Sequence, residues 1–401
     1  MKTIDDLQCE GKTVLVRVDV NAPVTDGVAG DSPRFKEAAE TIRELAGKKA
    51  RVVVLAHQGR AGDADFIPLK QHAELLSKHT RKRVKYVDDL FGSKALSEIG
   101  RLKPGKILLL ENTRFYAEET LAAPPEKLAQ TIFVKTLASH AQAFVNDAFS
   151  AAHRGQASLV GFPELLPSYA GRVMAREYAA ISKVAGAMER PVVFILGGAK
   201  PDDCFKLLKY AAENNKADYL LTSGVIGELC LIAEGKDMGA KRQWLEEKGY
   251  AKILPELEAF VKKHGAKIKT PVDFAYKDSD GIRAETDSAA GAPVFDIGSR
   301  TAKGYAEIIR RSRAVYFKGP VGAYEQPQFE SGTRIVLKAI ESSHAFSLMG
   351  GGHTMNALEK FGINKKKIGH VSTAGGAVIA FLSGEKLPAI EALEKSAQKT
   401  Y

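Results

Sequence analysis

Through the first half of the chain, short apolar runs rich in β-branched residues alternate with longer stretches whose apolar positions recur at helical spacing. TVLVRVDV, RVVVLAH, VKYV, KILLLEN and AFVNDAF are of the first kind, while RFKEAAETIRELAGK, LKQHAELLSKH and PEKLAQTIFVKTLASH are of the second. Such alternation predicts strands of a parallel sheet covered by helices on both faces. The pattern begins again at PVVFILGG and runs through DYLLTSG, IKTPVDFAY, PVFDIG, AVYFKGP, AFSLMGGG and HVSTAGG, which predicts a second sheet of the same kind. Between them, the apolar spacing of LPSYAGRVMAREYAAISKVAGAMERP reads as one helix over about 169–188. The expected fold class is α/β, with two doubly wound parallel-sheet domains, 1–168 and 189–383, joined by that long helix.

Bulk properties narrow the function classes. At 401 residues the chain exceeds one ordinary core and suits two domains. Apolar residues at 45% and charged residues at 26% are those of a soluble protein, and no apolar stretch is long enough to span a bilayer. The first residues, MKTIDDLQCEG, show no export pattern, and Cys9, Cys204 and Cys230 lie far apart without metal-ligand spacing. A reducing, cytoplasmic location is the expectation, with no membrane partner. The net charge of +10 raises the question of nucleic acid. Its basic clusters, KHTRKR and NKKK, are short and lack interleaved aromatics, so a positive field for small anions is the reading that survives.

Ligands of open parallel sheets sit at the carboxyl ends of the strands, which makes the residues just after each strand informative. Asp19 and Asn21 follow the first strand, His57 and Arg60 the second, Arg114 the KILLLEN strand, and His153 and Arg154 follow AFVNDAF, with Arg34 at the next helix start. Taken singly, each has a plain structural role: Arg114 as a surface ion pair, His57 as a satisfied core histidine. Gathered on one edge, so many basic groups are costly without an anion, and arginine forks match phosphate or carboxylate. A small hydroxylated phospho-acid would satisfy them.

The second half offers a complementary set. ILGGAKPDD ends a strand in Gly197 and Gly198, then gives Lys200, Pro201 at the favoured first helical position, and acids in the first turn. YFKGPVGAYE, MGGGHT and STAGGA place further glycines after later strands. Glycine leaves backbone open to close approach, and a helix start favours an anion, so several such turns on one edge read as a nucleotide platform. The Lys-Ser/Thr ending of a Walker A loop is missing from these turns.

VRVDVNAPV, LAHQGR, LLLENTRF, VNDAFSAAHR, ILGGAK, KGPVGAYE, GGGHT and STAGGA occur in the order of one family: the chain resembles phosphoglycerate kinases from end to end, and AHQGR with GGGHT looks like their archaeal branch. The resemblance implies reversible phosphoryl transfer from 1,3-bisphosphoglycerate to Mg-ADP, giving 3-phosphoglycerate and ATP. It implies glycerate binding by Asp19, Asn21, Arg34, His57, Gln58, Gly59, Arg60, Arg114 and Arg154. The nucleotide would lie over Gly197 and Gly198 and beside Gly319 and Pro320, with Glu325 on the ribose hydroxyls. The phosphates would meet Lys200 and the Gly351, Gly352, His353 and Thr354 turn, with Gly375 and Gly376 near the transferred group. It further implies a monomer with a hinge-bending cleft between the domains, the first of them completed by 384–401. Arg34 and Lys200 are the residues expected to neutralise the transferring group, in a reaction that needs alignment and charge rather than a general base.

Three positions depart from the family pattern. Cys204 stands where many members have a second lysine, so that contact is lost or moved to Lys206; Lys318 replaces an asparagine; and His353 replaces a magnesium-facing aspartate. Magnesium prefers oxygen ligands, so the metal is expected on nucleotide phosphates and water, with Asp202 or Asp203 as the candidate carboxylate and His353 touching a phosphate or a metal-bound water. A silent anion-sensing protein and a kinase for another carboxylic-acid phosphate are the competing readings.

Overall fold

Thr13–Arg17 is buried along its whole length, as a strand covered on both faces must be. It sits inside a six-stranded sheet with the spatial order Val84–Tyr86, Ile107–Leu109, Arg51–Leu55, Thr13–Arg17, Ala143–Asn146, Ser168–Ala170. Every neighbour in that sheet is parallel. The chain first builds outward on one side of Thr13–Arg17 and then on the other, so the order reverses beside that strand. A second six-stranded parallel sheet runs Ile268–Lys269, Tyr219–Thr222, Val192–Leu196, Ala314–Lys318, Phe346–Gly350, His370–Ser372. Its order reverses between Val192–Leu196 and Ala314–Lys318, which opens a crevice at their carboxyl ends.

The computed structural model describes residues 1–186, 188–291 and 293–401. Ala187, in the expected connecting helix, and Ala292, in the expected second domain, lie outside the described residues. The chain divides into two units, Met1–Ala179 with Lys386–Tyr401, and Ala180–Glu385. In the first, the helix Pro388–Ser396 is tied back by Ala389 N to Ala152 O at 3.1 Å and by Ser168 N to Ser396 Oγ at 3.1 Å. Among the described residues no helix is long and apolar enough to cross a membrane.

Two expectations are corrected. The helix expected over 169–188 begins at Arg172 and runs to Ala185, because Ser168–Ala170 is a strand paired with Ala143–Asn146. The switch is made by Asp147, whose Oδ1 accepts the amides of Val173 at 2.8 Å and Met174 at 3.1 Å and so caps the helix start. Gly171 is required there, since a Cβ would lie 2.3 Å from the same oxygen. The second correction concerns IKTPVDFAY and PVFDIG, expected in the second parallel sheet. Only Ile268–Lys269 joins it; Phe274–Lys277 and Val294–Ile297 flank each other in a separate antiparallel sheet with Arg283–Thr286. Asp278 Oδ1 accepts the amides of Asp280 at 3.0 Å and Ile282 at 2.8 Å, closing a turn too short for any parallel crossover.

Burial pushes the Asp147 carboxyl up to about 7, against the opposing pull of its hydrogen bonds. With the folded value above the unfolded one, the folded chain holds a proton that the unfolded chain releases, so the stability it brings is full at low pH and is lost as pH rises toward about 7. Asp147→Asn keeps the capping oxygen and removes the titration. The fall in unfolding free energy between about pH 4 and 7 should become shallower by up to one proton, about 1.4 kcal/mol per pH unit. Urea unfolding across that range checks it, and an unchanged slope would refute it.

Candidate functional site

Four adjacent strands of the first sheet deliver their following residues to one edge, beside the reversal in strand order. Beneath them lies Arg17, fully buried at the end of its strand. Its Nε donates to Ser158 Oγ at 2.8 Å, one terminal nitrogen lies 2.9 Å from His57 Nδ1, and Glu119 is 3.8 Å away. Asp19 accepts from Arg34 at 2.8 Å, from the Asn21 amide at 3.0 Å and from the Ser150 hydroxyl. Asn21 Oδ1 in turn accepts the Gly59 amide at 2.9 Å, and Gly59 O accepts from Arg114. Gly59, at φ +66°, has no room for a side chain, because a Cβ would fall 2.4 Å from Asp65 O.

The charges left over are positive. Arg60 is exposed and makes no side-chain ion pair among the described residues, and Arg154 Nη1 is shut off from solvent with no acceptor. Burial pulls Arg114 down to about 10, assisted by the like charges of Arg154 and Arg17. Burial and then Arg17 push His57 well below the ordinary histidine range, so its ring is neutral. Burial alone would raise Asp19, but the Arg34 charge, the Ser150 hydroxyl and the Asn21 amide outweigh it and hold the carboxyl below its ordinary range. The edge thus offers fixed cations, one neutral imidazole and one permanently ionised carboxylate.

In the second unit the turns after Val192–Leu196, Tyr219–Thr222 and Ala314–Lys318 interlock through glycine. Gly198 N donates to Pro320 O at 2.8 Å and Gly197 N to Lys318 O at 2.8 Å. A Cβ on Gly197 would meet Pro320 O at 2.4 Å, and one on Gly319 would meet Gly197 O at 2.5 Å. A recess beside this platform is lined by Gly224, Pro271, Phe274, Phe295, Val321 and Glu228. Burial pushes Glu228 up to about 7; one of its oxygens pairs with Lys241 at 3.2 Å and the other is buried without a partner. Lys200, at the start of the helix Pro201–Glu213, is exposed, and its side chain makes no ion pair among the described residues. Gly351, at φ +106°, opens the helix Gly352–Lys360, and a Cβ on Gly375, at the start of the next helix, would lie 3.8 Å from Gly351 Cα. Gly376 follows in that helix, Gly375–Leu382.

Several expected ligands turn out to be braces. Gln58 is fully buried and its side chain is spent on Ala22 N at 2.8 Å, Ala22 O at 3.1 Å, Asp65 O at 3.2 Å and His72 at 3.0 Å. Thr354, also buried, donates to Gly350 O at 2.9 Å and accepts the Gly319 amide at 3.3 Å, which staples two turns together. His353 and Glu325 face each other at 3.2 Å, both well exposed, rather than standing apart. Lys206, the expected substitute for the missing lysine, pairs with Glu385 at 3.2 Å on the surface. Asp203 lies 3.4 Å from Lys318, while Asp202 stays exposed without a side-chain partner among the described residues. Sequence reasoning missed Arg17, Glu119, Ser150, Ser158 and Glu228. Only Arg17 carried a signal, a charge inside an otherwise apolar run. No cluster of three or more metal-ligating side chains occurs among the described residues.

A family model described as "Phosphoglycerate kinase" matches residues 4–385. The phosphoglycerate kinase of Methanothermus fervidus is 44% identical over 99% of this chain and 98% of its own length. That of Methanothermobacter thermautotrophicus is 45% identical over 98% and 97%. Among solved structures, the phosphoglycerate kinase of Pyrococcus horikoshii superposes with a TM-score of 0.92 at 38% identity, covering 100% of both chains. The one from Coxiella burnetii does so at 0.82 and 29% identity, covering 98% and 99%.

An anion on the first edge should not depend on histidine charge, because His57 is already neutral and Asp19 already ionised through the neutral range. Sulfate, itself fully ionised, should raise the melting temperature by the same amount from about pH 5.5 to 8, and Arg154→Met should remove most of the gain. A sulfate effect that grows as pH falls through about 6.5 would mean that His57 takes up a proton with the anion.

Proposed function

Because the chain belongs to the phosphoglycerate kinase family and so acts as a glycolytic phosphotransferase, we propose a division of labour between its two sheet edges. The family reaction passes a phosphoryl group reversibly between 1,3-bisphosphoglycerate and ADP, giving 3-phosphoglycerate and ATP. The single observation that carries the assignment is the surplus of cation on the first edge: among the described residues Arg60 makes no ion pair and Arg154 has a buried donor with no acceptor. In this reading Arg60, Arg114, Arg154 and His57 hold the phosphate of the glycerate, and Asp19 and Asn21 hold its hydroxyl end. Gln58 and Gly59 keep the loop in place rather than touching the ligand. Arg34, fixed by Asp19 at 2.8 Å and by Asn21 O at 3.2 Å, is aimed at the group in transfer.

The nucleotide lies across Gly197, Gly198, Gly319 and Pro320, its base in the recess walled by Phe274 and Val321 and its phosphates toward Lys200 and the amides at Gly351 and Gly352. Gly375 and Gly376 add a second helix start beside that turn. Magnesium suits this edge: among the described residues there is no all-protein cage and Asp202 is exposed without a side-chain partner, so the donors present fit an ion held mainly by phosphates and water. When bound it supplies charge neutralisation of the phosphate oxygens. His353 and Glu325 form a pair at the rim, near the ribose and the outer phosphates. No general base is needed, since the attacking oxygen is an ionised phosphate or carboxylate. Each chain carries both edges, which supports work as a cytoplasmic monomer. As the edges belong to different units, transfer requires closure when both substrates are present, with water excluded from the acyl phosphate.

Formation of ATP from 1,3-bisphosphoglycerate and Mg-ADP is the direct test of the assignment. Arg34→Ala should lower kcat by about a hundredfold or more while changing KM little, as expected for a donor used mainly in the transition state. Turnover within a few-fold of the parent would remove Arg34 from that role. Closure predicts that the radius of gyration from X-ray scattering shrinks with both substrates and not with either alone.

A further inference from the structure

The strand Ala314–Lys318 ends on a lysine that is still buried, at 9% exposure, after four apolar residues at 0–1%. Register sets Lys318 level with Leu196 on one side and Gly350 on the other, one residue short of the turns at Gly197 and Gly351. Its ammonium therefore stands in the crevice where the strand order reverses. An ammonium has three donors, and burying it is costly unless they are met. Here Asp203 Oδ2 is 3.4 Å away on a partly exposed side chain, and the other neighbour is Cys204 Sγ at 3.5 Å. Cys204 is fully buried, burial pushes its thiol up, and its S–H is directed to Gly197 O at 3.4 Å. A neutral thiol is a weak acceptor, so the ammonium keeps donor capacity unused.

We infer that Lys318 is a phosphate-binding residue of the nucleotide edge, supplying from the strand the cation that the helix Pro201–Glu213 lacks at Cys204. This rests on the reading of that edge as the nucleotide's. Two of the departures from the family pattern noted in the sequence are thus in direct contact with each other. The lysine has moved from the helix to the facing strand, and the small thiol leaves the amine the space that a helix lysine would fill. Lys206 is instead exposed and paired with Glu385 at 3.2 Å. Lys318 faces the same turn as Lys200, whose side chain has no ion pair among the described residues, so an incoming phosphate chain meets one fixed and one mobile ammonium. Asp203 holds the fixed one in place.

Calorimetric titration of the full chain with adenosine and with ADP, alongside turnover, tests this. Lys318→Met should weaken ADP by about tenfold or more and lower kcat, while adenosine stays within about twofold, because only the phosphates meet the ammonium. Lys318→Arg should retain most of the ADP affinity. The exchange Cys204→Lys with Lys318→Asn should bind ADP within a few-fold of the parent, whereas Lys318→Asn alone should not; this pair also decides the matter should Lys318→Met fail to fold. Unchanged ADP affinity, equal losses for adenosine and ADP, or a folded exchange variant still weakened about tenfold would overturn the inference. A parent chain that makes no ATP would instead sink the family reading of the site, and the two failures are separately visible.

Discussion

The first edge depends on one guanidinium buried where the sheet needs it least. Arg17 ends a strand covered on both faces, and its charge is offset by Glu119 at 3.8 Å and by a chain of polar groups around that carboxylate. Ser158 accepts from Arg17 and donates to Glu119 at 2.6 Å, and Thr113 donates to the same oxygen at 3.2 Å. Loss of one member of such a buried pair typically costs about 3–5 kcal/mol, so the loops carrying Thr113 and Ser158 are held where the charge requires them. Arginine can only donate, so His57 Nδ1 at 2.9 Å must accept, and the ring proton sits on Nε2. Arg17 thereby fixes both the tautomer of His57 and the positive potential under Arg114 and Arg154.

The second edge solves the same problem with almost no side chains. Three turns approach so closely that a Cβ on Gly197, Gly224 or Gly319 would lie within 3 Å of the neighbouring loop's backbone. What remains exposed is main chain, with amides and carbonyls set by packing rather than by rotamers. A surface of that kind recognises a flat base and a phosphate chain through shape and dipole. The glycines that read as room for a ligand are in the first place room for the neighbouring turns.

That distinction marks how far the sequence could be read. Strand and helix alternation, the gathering of basic residues on one edge and the glycine turns were legible because each is local: a run, a spacing, a residue following a run. The start of the helix Arg172–Ala185 was not, because the apolar spacing continues back through Tyr169 and the decision lies with Asp147, far away in sequence. Phe274–Lys277 and Val294–Ile297 have the composition of sheet strands, and what sets Phe274–Lys277 apart is the turn at 278–282, which pairs it antiparallel with Arg283–Thr286 instead of placing it in the parallel sheet. Gln58 and Thr354 stand among expected ligands in the chain yet spend their groups on loops, and no local pattern tells a brace from a contact. Arg17 was visible as an anomaly whose meaning needed its partners.

The three departures from the family pattern are tolerated for related reasons. His353 and Glu325 are exposed, so exchanging one rim side chain for another leaves the helix start and its amides where Gly351 and Thr354 put them. Cys204 and Lys318 are buried, and a change at one alone would leave either a void or a crowded, uncompensated charge. Their contact at 3.5 Å lets the two positions vary together. The turn geometry constrains where positive charge must stand in the crevice far more tightly than it constrains which strand or helix brings it there.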